Sequence, residues 1–175
     1  MEQSSQKRTA GERTAANAAR MFFALWYLIG CFVHMHFAFT NTQVYEAFGR
    51  TALFPSFKEI WVTIVMPHIF FFALLLAAFE MTTGLFILSK RSYVRVGLAA
   101  SVSFNLFLAQ LGLARVTSTW GADLLANRLP DLLMALLQVP LFWIRFEKTV
   151  PELLRDRLHQ LIPGRRSGAT VSLNR

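Results

Sequence analysis

The stretch FFALLLAAFEMTTGLFILSK (residues 71–90) is apolar chain broken by one carboxylic acid, Glu80, before it closes on a lysine. A helix of ~20 mostly apolar residues crosses a ~30 Å hydrocarbon core. Working outward, the same character recurs three more times. Residues 21–39, 96–114 and 132–144 contain no Asp, Glu, Lys or Arg, and residues 60–89 contain only Glu80. Three of these segments reach spanning length, and the fourth does so if it runs from Pro130 to Phe146. The fold class that follows is all-α: an integral membrane four-helix bundle.

The net charge of +8 on 175 residues has to be located before it is interpreted. The N-terminal segment carries Lys7, Arg8, Arg13 and Arg20 against Glu2 and Glu12, and the turn after the second span carries Lys90, Arg91 and Arg95 with no acid. From Arg145 onward seven basic residues stand against Glu147, Glu152 and Asp156. In the other two connections Arg50 and Lys58 balance Glu46 and Glu59, and Arg115 and Arg128 balance Asp123 and Asp131. The excess therefore lies on one side, which by the positive-inside rule is cytoplasmic and holds both termini. Charge here reports topology and contact with anionic lipid, and no nucleic-acid partner is expected. Cys31 is the only cysteine, which excludes an internal disulfide and a Cys-based metal site. The first span is too long for a signal-peptide core and is expected to stay in the mature protein.

Residues 1–15 are polar and are expected to be disordered in the cytoplasm. The membrane domain is expected over 16–146. Its first span runs from Ala16 to Phe39, and a loop over 40–59 contains Pro55. The second span starts near Trp61, with Pro67 kinking it or marking its first turn. The third runs from Val94 to Leu113. A second loop over 114–129 precedes Pro130, which suits the first turn of the fourth span. The basic tail 147–175 contains Thr149-Val-Pro-Glu152, which has capping-box spacing. Leu154, Leu158, Leu161 and Ile162 then share one helical face, and Pro163-Gly164 ends it. This reads as an amphipathic helix over 150–162 lying on the cytoplasmic leaflet.

Glu80 and Asn105 lie equally far from the middle of the Lys90–Arg95 turn, so two antiparallel helices place them at one level. At ~1.5 Å per residue that level is ~15–19 Å from the turn, near the bilayer midplane. Ser101 and Asn105 share a face with Gly97 and Gly112, a polar stripe among small residues that permits close helix approach. In the fourth span Asp131, Gln138 and Arg145 recur at sevens and line one face, which should point inward. Three histidines near one level, His34, His36 and His68, raise the question of a metal or haem. His34 and His36 are ~200° apart around a helix, so a regular span cannot aim both at one ion. Glu80 lies ~18 Å below His68. At most a pair of His36 with His68 remains, without a third ligand. No metal is expected, haem is disfavoured, and interfacial packing is the preferred role. An intramembrane acid costs ~3 kcal/mol by insertion scales and marks a functional candidate by default. Withdrawal from water favours its neutral, proton-donating form. A purely structural pairing of Glu80 with Asn105 stays open beside that reading.

The order of these features resembles the DoxX-like family of small four-helix membrane proteins. The resemblance rests on His36-Phe37, Tyr45, Leu53-Phe54-Pro55, FEMTTGLFILSKR with Glu80 and Gly84, and FNLFLA with Asn105, over roughly residues 20–115. It implies a bacterial-type inner-membrane location and a quinone-facing or accessory subunit of a membrane redox system. It points to His36, Glu80 and Asn105 as site residues. Gln138 and His68 join them as candidate ligand-binding residues, with Glu80 as the candidate catalytic acid. The sequence has no CxxC, Gly-rich phosphate loop or Ser/His/Asp order, so redox chemistry would need a cofactor or partner subunit. A structural or assembly subunit of a larger membrane complex, and a small-solute or lipid transporter, are the alternatives.

Overall fold

The structure, a computed structural model, describes residues 2–161. It is helical throughout, with no strand among the described residues. Among the described residues four helical runs are long and apolar enough to cross a membrane: Gly11–Thr40, Pro55–Leu88, Ser92–Leu111 and Trp120–Trp143. The first belongs to helix α1 (Glu2–Thr40), which extends through the polar stretch where disorder is the expectation. After it come a 3-10 turn (Thr42–Tyr45) and the short α2 (Glu46–Thr51). The second span joins α3 (Pro55–Ile60) to α4 (Ile69–Leu88), and the third is α5 (Ser92–Leu111). The fourth joins α6 (Trp120–Asp123) to α7 (Leu129–Gln138), and α8 covers Val150–Leu161.

Side-chain placement is inverted relative to a bundle in water. On α1, Phe22, Trp26, Ile29, Phe32 and Phe39 are exposed, while Arg20, Tyr27 and Cys31 are buried. Steps of three and four residues keep each set on its own face. In hydrocarbon the large apolar side chains already have their solvent, and polar groups gain by turning inward to find partners. Small residues then let the helices close. A Cβ on Gly84 of α4 would stand 2.9 Å from Leu28 and 3.1 Å from the Ala24 carbonyl of α1. The α4 helix packs along α1, and α5 packs between α4 and α7.

The second and fourth spans both begin earlier than expected. Pro55 opens the second at a first-turn position after the extended Phe54. Thr119 caps the fourth, its hydroxyl accepting from the Ala122 amide at 3.2 Å. Pro67 and Pro130 consequently lie inside helical runs, and each follows a five-residue π turn, Trp61–Val65 or Leu124–Arg128. Proline lacks an N–H and crowds the carbonyl one turn back; the wide turn accommodates both effects without ending the helix. Pro130 is therefore not the start of the fourth span, and much of the expected loop 114–129 is helix. At its other end the span ends in a 3-10 turn (Val139–Trp143), and Ile144 becomes extended. Asp131 and Gln138 are buried, but Arg145 falls beyond the helix and is exposed, so the inward stripe holds for two of its three members.

Each end of the bundle is tied by a buried arginine. Arg20 donates to the carbonyls of Ser89 and Lys148, both at 3.1 Å, and stacks over Phe146 at 4.4 Å. This is the basic end. At the far end Arg128 donates to the carbonyls of Ala109 (3.1 Å) and Gln110 (3.0 Å), where α5 leaves its last acceptors open. It also donates to the Thr51 carbonyl and to Asp123, the latter at 3.0 Å. Asp123 holds Asn127, whose amide bonds the chain on both sides of Ala114 through Leu113 and Arg115. The α8 helix starts with a reciprocal pair: Glu152 accepts from the Thr149 amide (2.7 Å), and the Thr149 hydroxyl accepts from the Glu152 amide (3.2 Å). Ile162, Pro163 and Gly164, and the rest of the tail, lie outside the described residues.

Candidate functional site

Between the two arginine ties lies a belt of buried polar side chains. Tyr27 of α1 reaches across to α5, where its hydroxyl donates to the Ser101 carbonyl at 3.2 Å. It accepts from the Ser101 hydroxyl at 2.8 Å and from the Asn105 amide at 3.0 Å. Asn105 also donates to the Ser101 carbonyl at 2.9 Å. Its expected partner was Glu80, but its hydrogen bonds go to Tyr27 and Ser101. The tyrosine is long enough to reach from α1 into the level that the turn geometry assigns to both residues.

Glu80 faces α1 instead. It is 6% exposed, and its Oε2 has no hydrogen-bond partner. Gly30 makes room for it: a Cβ there would stand 2.8 Å from either carboxyl oxygen. One turn along α1, His34 places Nε2 at 3.7 Å from Glu80 Oε1. That is ion-pair range and too long for a hydrogen bond. The other ring nitrogen, Nδ1, lies 2.7 Å from the Tyr45 hydroxyl, and the two rings stack at 5.7 Å. Burial, reinforced by nearby Glu80, pushes the Tyr45 phenol up to about 12, so it keeps its proton. A phenol that donates to Nδ1 leaves the histidine proton on Nε2, facing Glu80. Glu80, His34 and Tyr45 thus form a line from the bundle interior to the connection at its far end.

The other sequence candidates fall elsewhere. His36 is exposed on the outer side of α1 with its ring against Phe37, and His68 is exposed too. The half-turn between His34 and His36 decides this: when one faces Glu80, the other must face out. Gln138 is fully buried and donates to the Met134 carbonyl at 2.8 Å, with Oε1 unpartnered. It sits seven residues below Asp131, ~10 Å along the axis, on the basic side of the belt. Asp131 is 6% exposed and likewise has one partnerless oxygen, Oδ2. Among the described residues, no group of three or more His, Cys, Asp or Glu is placed to hold a metal ion.

Tyr27 and Gly30 are residues that the sequence reading did not single out; His34 and Tyr45 were noticed without a link to Glu80, and Asp131 was expected on the inward face without a place in the site. One signal was present: Arg20, Tyr27 and His34 recur at sevens, the same spacing that marks Asp131 and Gln138. Two clefts lie at the ends of the bundle, one of about 420 Å³ beside Arg91 and Arg145 and one of about 390 Å³ beside Arg50 and Arg128. Neither borders Glu80. No family model matches the chain, and no curated protein or solved structure matches it either.

Proposed function

We propose that this multi-pass membrane protein handles protons for a small amphipathic ligand of the quinone class, as an accessory subunit of a membrane redox system. The supporting observation is Glu80, a buried acid with an open oxygen on one side and the His34–Tyr45 pair on the other. Such an acid inside a hydrocarbon-facing bundle marks a site of chemistry more often than one of packing. A quinone, when bound, takes up protons together with electrons, and its carbonyl oxygens need hydrogen-bond donors. Glu80 supplies a donor and a transferable proton, His34 orients and recharges it, and Tyr45 fixes the histidine tautomer. Asn105, with Ser101, holds Tyr27 between α1 and α5. The electrons would enter from a partner subunit.

In this reading the chain is a DoxX-like protein of a bacterial-type inner membrane. The basic end with both termini faces the cytoplasm. The α8 helix rests on that leaflet, where exposed Leu154 and Leu158 meet lipid. Purification in mild detergent followed by lipid extraction tests the assignment. A quinone retained by the parent protein and reduced in His34→Phe supports it. Stoichiometric foreign subunits with no retained quinone would favour an assembly role instead. Reporter fusions to the C-terminus and within 40–59 test the orientation, and an external C-terminus contradicts it.

A further inference from the structure

The cleft of about 420 Å³ at the basic end is lined by Arg91, Arg95 and Arg145, with Glu147 as its one acid. Three guanidinium groups face one carboxylate, and the nearby charges show why the excess is local. Lys90 is paired with Glu152 at 3.2 Å and Lys148 with Asp156 at 2.7 Å, so α8 neutralises the lysines. Arg91 meets Glu147 only at 3.8 Å. Among the described residues Arg95 and Arg145 have no carboxylate within ion-pair distance. The cleft also sits at a particular depth. It is built where the third span begins and just beyond the end of the fourth, and the exposed Tyr93 (58%) and Trp143 (75%) are the chain neighbours of its lining residues Ser92 and Ile144. Exposed aromatics at span ends mark the headgroup level, and Val96, also exposed, continues the surface toward the hydrocarbon.

From this geometry we infer that the cleft formed by Arg91, Arg95 and Arg145 binds the phosphate of an anionic lipid headgroup, with the acyl chains lying along Val96 and Trp143. Planar guanidinium forks match phosphate oxygens, and basic recesses between spans at the membrane surface favour anionic lipid. The inference is independent of Glu80. Glu147 sets its strength, because it competes with phosphate for Arg91.

The full chain is reconstituted in nanodiscs of phosphatidylcholine mixed with phosphatidylglycerol, and co-purifying lipid is counted by native mass spectrometry. The Arg95→Gln/Arg145→Gln variant, altered only at exposed positions, is expected to retain phosphatidylglycerol roughly tenfold to thirtyfold less well. Glu147→Gln is expected to retain more than the parent. Lys90→Gln/Lys148→Gln removes the same charge outside the cleft and should have a much smaller effect. Equal losses in the arginine and lysine variants would overturn the site, as would parent protein without preference for phosphatidylglycerol. Displacement of the bound lipid by inorganic phosphate at matched ionic strength would reassign the cleft to free phosphate.

Discussion

The buried arginines at the two ends of the bundle and the buried carboxylates between them follow opposite rules. Arg128 directs every nitrogen at an acceptor, and Arg20 directs all but Nε. Their partners are mostly backbone carbonyls that neighbouring helices and turns leave open. Glu80 and Asp131 are as deeply enclosed, yet each keeps an oxygen without a partner. A polar group whose bonds are all made inside the protein holds the fold. One left with open capacity in a non-aqueous interior is available to something that comes and goes. In the proposed function the buried arginines hold the fold, and the carboxylates between them carry the chemistry.

The largest effect is expected at the far end. Arg128→Met leaves the carbonyls of Thr51, Ala109 and Gln110 without this donor and Asp123 with Asn127 but without its ion-pair cation, a loss of ~3–5 kcal/mol. Thermal unfolding in detergent should show it, and Arg128→Lys should rescue little because one ammonium cannot replace a planar fork. At the basic end Arg20→Met deprives the carbonyls of Ser89 and Lys148 of their donors, at ~1–3 kcal/mol. Limited proteolysis should then cut the tail faster. If either variant were as stable as the parent, the ends would not be the structural part.

In the middle, Gly30→Val should cost ~1–3 kcal/mol through overpacking and displace the acid from His34. Smaller still is Thr149→Ala, which removes the cap of α8 for ~1 kcal/mol and should be seen as increased amide exchange in 150–161. The Thr149 amide and Lys90 hold Glu152 below the usual carboxylate range, and Lys148 does the same for Asp156. A carboxyl depressed in the folded state stabilises above its unfolded value, and that contribution is lost as pH falls through the folded one. Attachment of α8 should therefore be complete at neutral pH and weaken below about pH 4.

The spans were legible in the sequence because a bilayer needs long apolar runs with most of the charge gathered at their ends. Their starts were less so. Pro67 and Pro130 read as helix openings, but a π turn ahead of each lets the helix run through, and no local residue pattern announces a π turn. Glu80 was legible as the one acid in its span. Its partner was not, because turn geometry gives depth without direction. Depth alone matched Glu80 with Asn105, and only the packing of Tyr27 and Gly30 shows that the acid faces α1. His36 and His34 differ by half a helical turn, and which one faces inward is set by the Arg20–Tyr27–His34 spacing.

In the proposed function Glu80 is an open, proton-exchanging group and not a packing element. Infrared difference spectroscopy of the protein in lipid nanodiscs, on addition of a short-chain benzoquinone, tests it most directly. The parent should show a carboxyl signal that changes on addition. Glu80→Gln, unfolding at the same temperature as the parent, should lack that signal. A spectrum without a Glu80 signal, or a Gln variant that reproduces the parent's response, would make Glu80 structural and remove the contrast between the ends and the middle.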